Sequence, residues 1–154
     1  MVVTHRTYPN YNLWSGILFG IGMMAFIDEA LFHLLLQWHH FYDRSTTEIG
    51  LMSEGLLHAF SWFATIASLF MLAGIKKRNG FWLKRWGGGV LLGAGIFQFY
   101  DGIVQHKLMR IHQVRYVDNL IVYDLVWILA AVLMIVGGAF LIKRTKQSGL
   151  KGSL

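Results

Sequence analysis

The side chains with chemical capacity in this chain are seven histidines and eight carboxylates, and most of them stand inside apolar runs. Asp28, Glu29 and His33 fall in one run, Glu54 and His58 in a second, Asp101 and His106 in a third, and Asp124 in a fourth. Imidazole with carboxylate is the donor set of zinc, copper and iron sites. An Asp at the centre of a membrane helix costs at least ~2.5–3.5 kcal/mol on insertion scales, so such residues face a bundle interior and mark function by default. The chain has no cysteine, which excludes disulfides, thiolate metal ligands and cysteine nucleophiles.

The elements that must position these groups follow from composition. Of 154 residues 55% are hydrophobic and 14% charged, and the mean hydropathy is +0.48. A bilayer crossing needs about 20 apolar residues, and four stretches reach that length: about Leu13–Trp38, Leu51–Ile75, Trp86–Leu108 and Leu120–Ile142. The net charge of +6 does not describe a nucleic-acid-binding face, because the cations sit in short clusters between apolar runs. Lys76, Lys77, Arg78, Lys84 and Arg85 fill the middle link, and Lys143, Arg144, Lys146 and Lys151 the tail. The other two links mix Arg44, Arg110 and Arg115 with Asp43, Glu48 and Asp118. Positive residues gather on the cytoplasmic side, which predicts cytoplasmic termini and a cytoplasmic middle link. Tyr11, Trp14, Trp38, Tyr42, Trp82, Trp86 and Tyr116 lie near span ends, as interfacial aromatics do. The first apolar run is too long for a signal peptide, so the first helix is expected to remain in the mature protein.

The chain also repeats itself. At an offset of 73 residues Gly16–His39 overlies Gly89–His112 with nine identities in 24 positions. Gly16, Leu18, Gly20, Gly22, Phe26, Asp28, His33, Leu35 and His39 recur as Gly89, Leu91, Gly93, Gly95, Phe99, Asp101, His106, Leu108 and His112. Apolar bias matches Leu with Leu; it does not match one Asp and two His in register. The expected fold is an all-α membrane protein, one membrane domain over 1–154. It is a four-transmembrane-helix bundle of two tandem parallel helix-pair repeats, about 13–75 and 86–142, with a pseudo-two-fold axis along the membrane normal. Gly16 with Gly20, and Gly89 with Gly93, give the first and third helices small-residue faces for close approach. Between the second and fourth helices two registers compete, one placing His58 near Asp124 and one placing Trp62 on Trp127.

At 1.5 Å per residue, His33, His58, His106 and Asp124 lie roughly 7–10 Å inside the outer boundary, one per helix, and Asp28 and Asp101 about two turns deeper. The expected metal set is His33, His58, His106 and Asp124. Glu54 stands one turn from His58, and Asp28 and Asp101 serve as acceptors that fix ligand tautomers. His39 and His112 lie about 16 Å along a straight helix from the repeated Asp. With His40, Asp43 and Asp118 they are therefore expected at an outer mouth, apart from Asp28 and Asp101. Competing readings are structural: interhelical hydrogen bonds from His33 and His106, and packing for Met23, Met24, Met52 and Met109 rather than Cu(I) ligation. Glu29 has Gly102 as its counterpart and so no acidic mate.

The run GIGMMAFIDEALFHLLLQWHH, with EGLLHAF and GAGIFQFYDGIVQHKLMRIH after it, resembles a family of small bacterial membrane proteins known as domain of unknown function 2243. The resemblance covers residues 13–142. It rests on Phe26, Asp28, His33, Gln37, Trp38, His39 and His40; on Gly55, Leu56, His58, Ala59 and Phe60; and on Tyr123 with Asp124. This chain has Asp28-Glu29 where relatives have Asp-Gly, as at Asp101-Gly102. The resemblance implies the bacterial inner membrane, a conserved polar site and the company of oxidase assembly factors, but no reaction.

The leading expectation is a multi-pass metal-binding protein whose intramembrane His/carboxylate site opens to the extracytoplasmic side and holds copper, zinc or iron. It would serve copper handling or respiratory oxidase assembly. The alternatives are a metal-dependent membrane oxidoreductase or hydrolase, a b-type haem protein with His33 and His106 as axial ligands, and a proton or ion relay through Asp28 and Asp101. The expected partners are the lipid bilayer, the oxidase assembly machinery and a second copy of the chain, with no nucleic acid.

Overall fold

The computed structural model describes residues 8–151, with side chains through Thr145; Lys146 and Lys151 of the basic tail lie outside the described side chains. Every described regular element is helical. They are α1 (Pro9–Ile27), a π-helical continuation Asp28–Leu35, α2 (Thr47–Lys77), α3 (Leu83–Tyr100), a π-helical continuation Asp101–Met109, and α4 (Leu120–Lys151). Four helices are long and apolar enough to cross a membrane, over Pro9–Leu35, Thr47–Lys77, Leu83–Met109 and Leu120–Thr145. Helices suit such segments because every backbone polar group is bonded within the segment, where no water is at hand.

The core is narrow and polar. Ser15, Ser61, Ser68, Gln98, Asp28, Glu29, His33, Glu54, Asp101 and His106 are buried, while Phe63, Phe70, Leu125, Leu129 and Leu133 point outward. That is the inverse of a water-soluble bundle and suits a lipid surround.

α1 and α3 touch along their glycines. A Cβ on Gly16 would run into the Trp86 carbonyl, and one on Gly89 into the Leu13 carbonyl; Gly20 and Gly93 stand in the same way against Val90 and Ile17. These contacts are reciprocal at the offset of 73. The outer helices pack equivalently at a different offset. Gly22 faces Ser61 and Thr65 of α2, whereas Gly95 faces Ala131 and Ile135 of α4. Ser15 exchanges hydrogen bonds with Ser68, and Gly88 abuts Gly138. Both contacts relate α2 to α4 by 70 residues. Both registers expected from the sequence are thereby corrected: Glu54 corresponds to Asp124 and His58 to Ile128, because backbone contacts against Gly22 and Gly95 set the register rather than side-chain likeness.

The ends are closed differently. The α2–α3 link turns at Asn79, whose φ of 51° is left-handed, and Asn12 clamps it by donating to the Gly80 carbonyl and accepting from the Trp82 amide. At the other end the first span stops at Leu35, short of the expected Trp38, and the third ends at Met109, one residue past the expected Leu108. There Gln37 (φ 50°) and Arg110 (φ 52°) reverse the chain, again 73 residues apart.

Candidate metal centre

The two π-helical segments build the site. A π-helix bonds each N–H to the carbonyl five residues back, so residues i and i+5 share a face. In an α-helix the same two residues would stand about 140° apart. Asp28 and His33 are five apart, as are Asp101 and His106, and all four are at most 1% exposed. The left-handed turns at Gln37 and Arg110 then fold the following links back over the bundle end, carrying His39 and His112 inward. His112 becomes 1% exposed and His39 4%.

Four imidazoles therefore converge. Ring centroids are 4.5 Å apart for His33–His39 and 4.6 Å for His106–His112. The cross pairs His33–His112 and His39–His106 are both 6.0 Å apart. His39 and His112 stack in parallel at 4.6 Å. The His39 Nδ1–H donates to the Val114 carbonyl at 2.9 Å, and the His112 Nδ1–H to the Phe41 carbonyl at 2.8 Å. Val114 and Phe41 are themselves 73 residues apart. His33 donates its Nδ1–H to Glu54 Oε2 at 2.8 Å. In these three rings the outer nitrogen carries a proton and Nε2 is the nitrogen turned to the centre, as in histidine ligands fixed by an outer acceptor. His39 lies between spans, where burial and then the neighbouring imidazoles hold its pKa down to about 2, so its ring is neutral at physiological pH.

The inward atoms lack hydrogen-bond partners among the described residues: Asp28 Oδ1, His33 Nε2, His39 Nε2, Asp101 Oδ2, both nitrogens of His106, and His112 Nε2. Each aspartate also stands close to an imidazole of its own half. Asp101 Oδ2 lies 2.9 Å from His106 Nε2, Asp101 Oδ1 3.3 Å from His112 Nε2, and Asp28 Oδ2 3.6 Å from His33 Nε2. Donors bound at 2.0–2.2 Å to one ion are separated by ~3.0–3.5 Å, the edge of its octahedron or tetrahedron. An unmet buried polar group costs about 1–3 kcal/mol, and a cation is one partner that such groups could hold. Two groups of donors lie within 4.8 Å of one another and could hold a metal ion: Asp28, His33 and His39, and His39, His106 and His112.

Several expectations change. His39 and His112 do not stay at an outer mouth apart from the aspartates, because the helix ends at the reversal and the axial extrapolation fails. Asp28 and Asp101 face the centre instead of standing behind the ligands. Glu54 takes the outer role, accepting from His33, from the His40 ring at 3.2 Å and from the Phe41 amide at 2.8 Å. His40 thus flanks Glu54 rather than the mouth. His58 is not brought into the layer: its Nδ1–H donates to Glu29 Oε2 at 2.7 Å and its Nε2 accepts from Trp62 at 2.9 Å, so both nitrogens are engaged. At the equivalent place in the second half Gly102 abuts Ile128, which explains why Glu29 has no acidic mate. Asp124 also stands aside, paired with Lys107 at 2.6 Å. Met52 and Met109 are exposed on the helix surface, outside the cluster.

Gln105 was not singled out from the sequence. Its amide donates to Asp101 Oδ1 at 3.1 Å, and the four-residue spacing was the available signal. Beside the cluster a cavity of about 440 Å³ is lined by Asp43, Arg44, Arg110, His112, Gln113 and Tyr116. Tyr116 donates to Asp43 at 3.0 Å; burial and that carboxylate push its pKa up to about 12.

Fold and site together define a multi-pass helical protein with a buried His/Asp cluster near one end of the bundle. The chain belongs to the family described as predicted membrane protein (DUF2243), which matches residues 15–145. No curated protein and no solved structure matches it.

Proposed function

We propose that this protein binds a transition-metal ion within the membrane, at the cluster of Asp28, His33, His39, Asp101, His106 and His112. The observation that carries the reading is the convergence of buried His and Asp donor atoms, several without a hydrogen-bond partner, with three Nδ1–H groups anchored outside. Imidazole and carboxylate without thiolate or thioether suit zinc, iron or Cu(II) better than Cu(I). The four rings pack on one another, so no slot for a porphyrin separates His33 from His106. The shared contacts at offsets of 73 and 70 support a duplicated helix pair about an axis along the membrane normal. The basic middle link and tail favour a cytoplasmic location for the end opposite the site. The site then faces the extracytoplasmic side of a bacterial inner membrane. A role in metal handling for respiratory oxidase assembly fits that placement.

The test is elemental analysis of detergent-purified protein beside His33→Ala and His106→Ala, with an absorbance spectrum on the same samples. The reading expects stoichiometric metal that both variants lose and no Soret band. Metal-free protein even after loading with copper, zinc and iron would leave a proton relay through Asp28 and Asp101 as the better account.

A further inference from the structure

We infer that the cluster is built for two adjacent metal ions, one per half of the chain, rather than for one ion shared on the axis. This rests on the metal-site reading above. Three observations carry it. Each half supplies a complete two-histidine, one-carboxylate set from a single 12-residue stretch: Asp28, His33 and His39, and Asp101, His106 and His112. Such a set is a sufficient facial ligand group for one ion and leaves positions open.

Each inner ring stands closer to the reversed ring of its own half, while the two reversed rings stack on each other between the halves at 4.6 Å. Rings of the same half are 4.5 and 4.6 Å apart, and each inner ring is 6.0 Å from the opposite reversed ring. The Asp101 carboxylate closes on both histidines of its own half, at 2.9 and 3.3 Å.

Size argues the same way. Six donors around one ion at ~2.1 Å would all lie within ~4.3 Å of one another. The donor atoms that fall within 4.8 Å do so in threes, Asp28 with His33 and His39 in one, and His106 with His112 and the shared His39 in the other. His39 belongs to both threes and stacks on His112 at 4.6 Å, so the two ion positions are neighbours. Metal pairs about 3.5–4 Å apart that share a small bridging ligand have this arrangement, and carboxylate and histidine ligands from bundle helices are how soluble di-metal bundles are made. The halves differ outside the ligand sets. Glu54 anchors His33, whereas its counterpart Asp124 pairs with Lys107 and leaves His106 Nδ1 without a partner. The first-half ion is accordingly the tighter of the two.

The test is a metal count on purified full-length protein loaded separately with Co²⁺ and Cu²⁺ and freed of unbound ion, with electron paramagnetic resonance of the copper form. The expected result is two equivalents per chain, a spin-coupled copper spectrum, and stepwise loss under a chelator. The pairs Asp28→Asn with His33→Gln, and Asp101→Asn with His106→Gln, are each expected to keep one equivalent and show an isolated-copper spectrum. One equivalent in the wild type, lost by both variant pairs, would overturn the two-ion inference and leave the metal site standing. Two equivalents with isolated spectra would also overturn it, because the second ion would then bind elsewhere. No bound ion of either kind would remove both. The wild-type count and spectrum decide even where a variant fails to fold.

Discussion

Replacing Glu54 by Gln changes one oxygen to an amide nitrogen and reverses a chain of hydrogen bonds. Glu54 accepts three: from His33 Nδ1 at 2.8 Å, from the Phe41 amide at 2.8 Å and from His40 Nδ1 at 3.2 Å. In the Gln side chain the remaining oxygen can still accept from Phe41. The amide NH₂ then faces His33 Nδ1, which must become an acceptor, and the imidazole proton moves to Nε2. That nitrogen points at Asp28 from 3.6 Å and is the one available to a metal. Outer-shell partners of metal-bound histidines are worth 10–100-fold in affinity, or about 1.4–2.7 kcal/mol. The expected result for Glu54→Gln is a 10–100-fold weaker first ion, read by chelator competition, with the apo protein still folded. Glu54→Leu has a second effect. It strands the Phe41 amide and the His33 Nδ1–H, at about 1–3 kcal/mol each, and so lowers unfolding stability by about 2–6 kcal/mol. A Gln variant whose affinity stays within about twofold of wild type would refute the orienting role of Glu54.

Other outcomes follow from the same geometry. His58→Gln is expected to leave metal content unchanged while His39→Ala abolishes or halves it, since both His58 nitrogens are already engaged; equal losses in metal analysis would contradict the site as drawn. Gly20→Val and Gly93→Val should prevent folding, because even a Cβ there meets a backbone carbonyl, whereas Gly74→Ala, with open space around it, should be neutral or up to about 1 kcal/mol stabilising in detergent unfolding assays. Asp124→Asn removes a half-exposed ion pair with Lys107 and should cost no more than about 1 kcal/mol without altering metal stoichiometry. A larger stability loss, or a lost ion, would mean that Asp124 reaches His106.

Much of the bundle was legible from residue order alone. Four apolar runs set the helices, and GxxxG at Gly16 and Gly89 marked the faces that meet, because close backbone approach admits only glycine there. The repeated Asp, His and His were equally visible. Their arrangement was not, since depth was reckoned along a straight α-helix. The spacing of five between Asp28 and His33 fits a π-helix and not an α-helix, and that was the overlooked signal. Nothing local marks Gln37 or Arg110 as left-handed, so the return of His39 and His112 could not be read. The pairing of Glu54 with Asp124 was hidden for another reason. It is set by where α2 and α4 meet Gly22 and Gly95, and links of unequal length erase it from a one-dimensional comparison.

Under the proposed function, buried imidazole and carboxylate groups of this chain hold the metal. X-ray absorption on metal-loaded protein in membranes addresses the ligands themselves. The account predicts a first shell of nitrogen and oxygen at ~2.0–2.2 Å with the outer scattering of several imidazoles, reduced in His39→Ala and unchanged in His58→Gln. A sulfur shell near ~2.3 Å, or a shell of oxygen alone without imidazole scattering, would contradict it.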